Sequence, residues 1–149
     1  MAQIYDSTKT TLPKVIGFNR PWYIIDASKE PVGRLSTKVA TLLMGKNRAD
    51  YSPAIDMGAC VVVINSNQLV FTGKKPEKKV YFRHDNGRVG ALKYRLLKDQ
   101  MVQDSTRPIY LSVKRMLPKN RLQDVRMNNR LHIFKDANYK FTQTLIPVN

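Results

Sequence analysis

The 149-residue chain has one cysteine, two histidines and one tryptophan, and its acidic residues number only 11. A single cysteine excludes an internal disulfide and every zinc site built on cysteine pairs. That residue, Cys60, stands inside Ala59-Cys60-Val61-Val62-Val63-Ile64, the longest purely apolar run. A buried, inert thiol is expected there. The run is far short of the roughly twenty residues needed to span a bilayer. The amino terminus, Met1-Ala2-Gln3-Ile4-Tyr5-Asp6, lacks a charged stretch followed by an apolar one and does not read as a secretory signal. A reducing, cytoplasmic setting is the expectation.

The scarcity of acids matters more. Lys and Arg number 26, so the formal charge is +15, with a pI near 10.2. Such an excess favours binding a polyanion or an anionic membrane surface, and with apolar runs this short no membrane partner is expected. Hydrophobic residues make up 42% of the chain, enough to fill one core, and the length predicts a single domain. The charge is unevenly spread. Residues 1–73 carry 8 basic and 5 acidic side chains, whereas residues 74–130 carry 16 and 5, a net of +11. This asymmetry predicts a nearly neutral folding unit with a basic working face.

Periodicity outlines the fold. Residues 1–20 show no sustained pattern and read as an irregular arm, residues 21–136 as the folded domain, and residues 137–149 as a carboxy-terminal tail. Trp22-Tyr23-Ile24-Ile25-Asp26 reads as a strand. Val32, Leu35, Val39, Leu42 and Leu43 recur at helical spacing, with Gly45 as the stop. Cys60 to Asn65 reads as a strand buried on both faces, which points to a parallel sheet flanked by helices. A short strand is expected over Gln68–Thr72, a basic, glycine-punctuated loop over Gly73–Gly90, and a helix over Ala91–Met101 with Leu92 and Leu96 in register. Ser105 or Thr106 is expected to cap a helix with Pro108 in its first turn. Ile109, Val113, Met116 and Leu117 form its apolar face, and Pro118 ends it. Leu122 and Val125 predict one more short helix, and Leu131–Phe134 a last strand.

Catalytic constellations fail one at a time. A phosphate loop needs a glycine five residues before Gly-Lys-Ser/Thr. Gly45-Lys46 has Ala40 there and Asn47 after it, and Gly73-Lys74 has Gln68 and Lys75. No Gly-x-Gly-x-x-Gly triple exists, and His84 and His132 each lack a second histidine at metal spacing. Asp26 and Asp56, next to strands, are expected as turn caps; with His84 they make an enzyme site only if the three converge. No enzyme activity, cofactor, metal or small-molecule substrate is expected. The basic segment survives. Lys74, Lys75, Lys78, Lys79, Arg83 and Arg88, with a second stretch at Lys114, Arg115, Lys119 and Arg121, suit phosphate binding. Tyr81, Phe82 and His84 among them are expected to offer flat faces to unstacked bases, and Tyr81 and His84 to stack on or hydrogen-bond to nucleotides. These residues do not choose between RNA and DNA.

A set of short words then points to a family. They are Trp22-Tyr23-Ile24-Ile25-Asp26-Ala27, Gly33-Arg34-Leu35, Leu43-Met44-Gly45-Lys46, Tyr51-Ser52-Pro53 and Asp56-Met57-Gly58. Val63-Ile64-Asn65, Phe71-Thr72-Gly73, Lys79-Val80-Tyr81-Phe82-Arg83-His84 and Val113-Lys114-Arg115-Met116-Leu117-Pro118-Lys119-Asn120 follow. In order and spacing they resemble the family of large-subunit ribosomal protein thirteen, bacterial or organellar type, over Arg20 to Phe134. Bacterial-type members tend to have glycine where Arg115 stands. The resemblance implies a three-layer α/β/α domain with a small, mainly parallel sheet and basic loops. It also implies a structural place in the large ribosomal subunit, with large-subunit rRNA bound early in assembly and neighbouring ribosomal proteins as partners. An mRNA-binding regulator outside the ribosome is the alternative.

Overall fold

The computed structural model describes residues 18–84, 87 and 89–148. Strand β1 (Trp22–Asp26) pairs in parallel with β2 (Cys60–Ile64), Trp22 opposite Cys60 and Asp26 opposite Ile64. Strands β5 (Leu131–Ile133) and β6 (Leu145–Pro147) add in parallel on either side, giving the order β5-β2-β1-β6. The α/β class and the small parallel sheet match the pattern of the sequence.

Helix α1 (Val32–Met44) is the β1–β2 crossover. Its stripe of Leu35, Val39 and Leu43 is fully buried and packs, with Ile109 and Val113 of α4 (Thr106–Met116), on Ile25, Val61 and Val63. Burial of each large aliphatic side chain stabilises by roughly 1.5–3 kcal/mol, so this face holds the domain together. Gly45 ends α1 with φ 77°, and its N–H bonds back to Leu42. A Cβ at Gly45 would also lie 2.9 Å from the Met57 carbonyl oxygen. The opposite sheet face carries, among the described residues, a ring cluster. Trp22 stacks on His132 at 5.6 Å, and Phe141 leans on both.

Several expectations are corrected. Gln68–Thr72 is no strand: Ser66–Gln68 forms a 3-10 turn, and only Val70 bridges, to Pro31. Pro31 has no N–H to extend that ladder. Ala91–Met101 is not one helix but strand β4 (Leu92–Leu96) followed by α3 (Leu97–Gln103). The basic loop is likewise structured, with a single-turn helix α2 (Lys75–Lys78) and strand β3 (Val80–His84), which pairs antiparallel with β4. Ser105 stands at the N-cap of α4 as expected, but its side chain makes no cap hydrogen bond; the Asp104 carboxylate accepts from the Thr106 N–H at 3.0 Å and the Thr106 hydroxyl at 2.8 Å. Ser105 turns inward to Ser66 and Asn67. Met116 lies outside the core. Helix α5 (Arg121–Asn129) buries Gln123, Arg126 and Met127 while Val125 is exposed. The segment expected as a tail supplies β6.

Candidate nucleic-acid interface

The basic residues gather on a projection beside the sheet. α2 leads into the β3–β4 hairpin, and the Leu97 N–H closes the hairpin base on the Lys79 carbonyl at 2.8 Å. Side chains alternate across a strand pair. One face therefore carries Tyr81, Arg83, Lys93 and Arg95, and the other Phe82, His84, Leu92 and Tyr94. The first face looks over a cleft of about 720 Å³ whose lining includes Tyr81, Arg83, Arg95, Asp104, Arg107 and Arg115. Its acid, Asp104, is engaged by Thr106 at the start of α4. Arg95 donates to the side chains of Gln100 and Gln103.

Arg115, on the last turn of α4, joins the two basic stretches. It lines this cleft and also a second groove with Lys114, Lys119 and Arg121. Lys79 sits 5.3 Å above the Tyr81 ring. Burial pulls the Lys79 ammonium below the ordinary lysine range, and the like charges of Arg115 and Lys75 add to it. No described carboxylate pairs with Lys79 or Arg115. Lys74, Lys75 and Lys78 are exposed on α2 and its start, Lys75 donating to the Thr72 hydroxyl at 3.0 Å. Such crowding of cations destabilises the protein alone and is relieved by an anion.

The expected residues thus fall into three groups. Arg83 and Arg115 line the first cleft, Lys114, Arg115, Lys119 and Arg121 the second, and Lys74, Lys75, Lys78 and Lys79 a third groove beside the start of α1. His84 is exposed at the end of β3. Arg88 lies outside the described residues. Tyr81 is the correction: only 8% exposed, it cannot offer a ring face to a base. Its buried hydroxyl has no described partner, and burial raises its pKa, with Arg115 opposing. The exposed rings are Phe82 at 69% and Tyr94 at 75%. Phe82 is among the rings expected from the sequence and Tyr94 is not; the strand period separates Phe82 from Tyr81, and the register puts Tyr94 opposite Phe82.

The residues of the rival enzyme site do not converge. Asp26 ends β1, whereas Asp56 lies before β2 beside Arg130, at the other edge of the sheet. Five residues of strand separate those edges, about 13 Å at ~3.3 Å per residue. Asp26 caps its own turn, accepting from the Ser28 N–H and hydroxyl and from Asn65 at 2.8–3.0 Å. Asp56 receives Arg126 and Arg130. Burial pushes its carboxyl up, but the Arg130 hydrogen bond and the charges of Arg130, Arg126 and Arg20 outweigh it and hold it below the usual range. Burial raises the Cys60 thiol. No group of three or more His, Cys, Asp or Glu gathers to hold a metal, and no helix is long and apolar enough to cross a membrane, among the described residues.

The fold and site define a parallel α/β domain with an appended cationic hairpin. Comparison with known proteins narrows the class. The profile of the family described as "Ribosomal protein L13" matches residues 20–140, and the chain belongs to that family. It is 42% identical over 134 residues to the large ribosomal subunit protein uL13 of Thermotoga petrophila, covering 90% of this chain and 89% of the relative. The uL13 of Chloroflexus aggregans is 43% identical over 88% of this chain and 90% of its own length. That of Lactiplantibacillus plantarum is 41% identical over 87% of each.

Proposed function

We propose that this protein is a structural constituent of the large ribosomal subunit, in the cytoplasm, that binds large-subunit rRNA and supports early assembly beside neighbouring ribosomal proteins. The observation that carries the reading is the crowding of Lys79, Arg115 and Lys75 without a described carboxylate. Phosphates of an RNA strand supply the missing charge. Lys74, Lys78, Arg83, Lys114, Lys119 and Arg121 extend the same surface, Arg88 joins them on its sequence alone, and family membership points to RNA over DNA.

Binding is tested with an in vitro transcript of large-subunit rRNA, titrated at several salt concentrations. Changing Lys78 and Lys79 together to Ala should weaken binding and lower the log–log salt slope by roughly 0.7–0.9 per lost phosphate contact. An unchanged slope places both lysines in solvent. Sucrose-gradient sedimentation of lysate tests the ribosomal role: absence from the large-subunit and whole-ribosome fractions refutes it and leaves the mRNA-binding regulator.

A further inference from the structure

We propose that the outer face of the β3–β4 hairpin is a stacking platform for unpaired bases, with Phe82 and Tyr94 as its rings. This rests on the rRNA-binding reading and deepens it. The two residues are directly opposite each other in the antiparallel register. Both are largely exposed, while Tyr81 beside Phe82 is buried. An exposed aromatic pair at the centre of a two-stranded ribbon is costly in water and calls for an occupant.

The charge around it selects that occupant. Arg83, Lys93 and Arg95 of the same strands project from the opposite face, but Phe82 and Tyr94 also border the cleft those cations line with Arg107 and Arg115, so a chain laid on the rings meets cations at its margins. Protein interfaces deplete charge from their centres, whereas RNA-binding sheet faces combine stacked aromatics with a basic surround. The rungs on this face suit a nucleotide too. Val80–Leu96, Phe82–Tyr94 and His84–Leu92 recur every two residues, about 6.8 Å apart at ~3.4 Å per residue. That is twice the ~3.4 Å rise of stacked nucleotides, room for one base between the central rings and His84. Stacking has no base preference of its own, so the platform takes single-stranded or looped RNA without reading its sequence.

The test uses the full chain and the same naked rRNA transcript. Phe82→Ala and Tyr94→Ala should each weaken binding about 5- to 150-fold, the range for loss of one base–aromatic stack. The salt slope should not change, because no phosphate contact is lost. Tyr94→Phe keeps the ring and should bind as the parent does. In Phe82→Trp, RNA should quench the new indole. Full affinity of the Phe82→Ala/Tyr94→Ala double variant overturns the platform, as does an unquenched indole. Normal affinity for naked RNA with failure to enter reconstituted subunits overturns it in favour of a protein partner. Failure of the parent chain to bind the transcript at all refutes the rRNA reading itself.

Discussion

Replacing Asp56 with Ala separates a structural carboxylate from a catalytic one. Asp56 sits among three arginines, and the side chains of Arg126 and Arg130 are only 4% and 10% exposed. Arg20 reaches the same corner, but its hydrogen bonds go to the backbone carbonyls of Asp56 and Gly58 at 3.1 and 2.7 Å. Those bonds do not depend on the Asp56 side chain, so the substitution removes the carboxylate alone. Two buried guanidinium groups then lose their counter-charge, and Arg130 already has one buried nitrogen without a partner among the described residues. Removing one member of a buried pair costs about 3–5 kcal/mol. At this chain length that lowers Tm by about 6–20 °C. Urea unfolding followed by emission of Trp22, the single tryptophan, reads the loss. Asp56→Asn, which keeps an acceptor, should fall between parent and Ala. A loss below about 1 kcal/mol, the range of a surface pair, refutes the buried-hub account. The pH dependence has a definite sign. A carboxyl depressed in the folded state stabilises above the ordinary carboxylate range and loses that contribution as pH falls through its folded value. Asp56→Ala should therefore flatten the acid limb of the stability curve.

Two further outcomes follow from the packing. Gly58→Ala should destabilise by more than a typical surface change, upwards of about 2 kcal/mol by chemical denaturation, since its Cβ would lie 1.9 Å from the Leu43 carbonyl oxygen; stability equal to the parent refutes that close approach. His132, whose pKa burial lowers, stays neutral against Trp22 where the unfolded chain is already protonated, so stability should fall as pH drops below about 6.5; His132→Phe should remove that dependence, and an unchanged curve between pH 7 and 5 refutes it.

The parts legible in the sequence are those with a single period. α1 has only a helical reading, and β2 is too short and too β-branched for anything but a strand. Leu92 and Leu96 are different: a spacing of four puts residues on one face of either a helix or a strand. The choice is made by β3, which presents five partners in register. Tyr81 and Phe82 were legible as aromatics among cations, but which ring is exposed depends on strand alternation, invisible while the segment reads as a loop. β6 contains Pro147 and spans three residues. Proline is tolerated there because an edge strand pairs on one side only. The burial of Arg126 and Arg130 has no signal in the sequence, because burial of an arginine depends on where a distant carboxylate, here Asp56, is placed.

Open parallel sheets usually bind their ligands beyond the carboxyl ends of the strands, where the order of strands reverses. In the order β5-β2-β1-β6 that point lies beside β1, and its rim is occupied by the protein's own groups. Asp26 holds Ser28 and Asn65, Asn67 donates to Asp136 at 3.0 Å, and Ser105 donates to Asn67 at 2.7 Å. Asn65 adopts the left-handed conformation at φ 60° to make the turn. Polar groups that satisfy each other in this way have little left for a substrate. The crowded cations lie elsewhere, on α2, the hairpin and the end of α4. The fold therefore uses its sheet as a scaffold and carries its chemistry on an appended ribbon. That division explains a near-neutral first half beside a +11 middle segment, because the core-forming strands β1 and β2 precede Lys74 and the cation-bearing elements follow it.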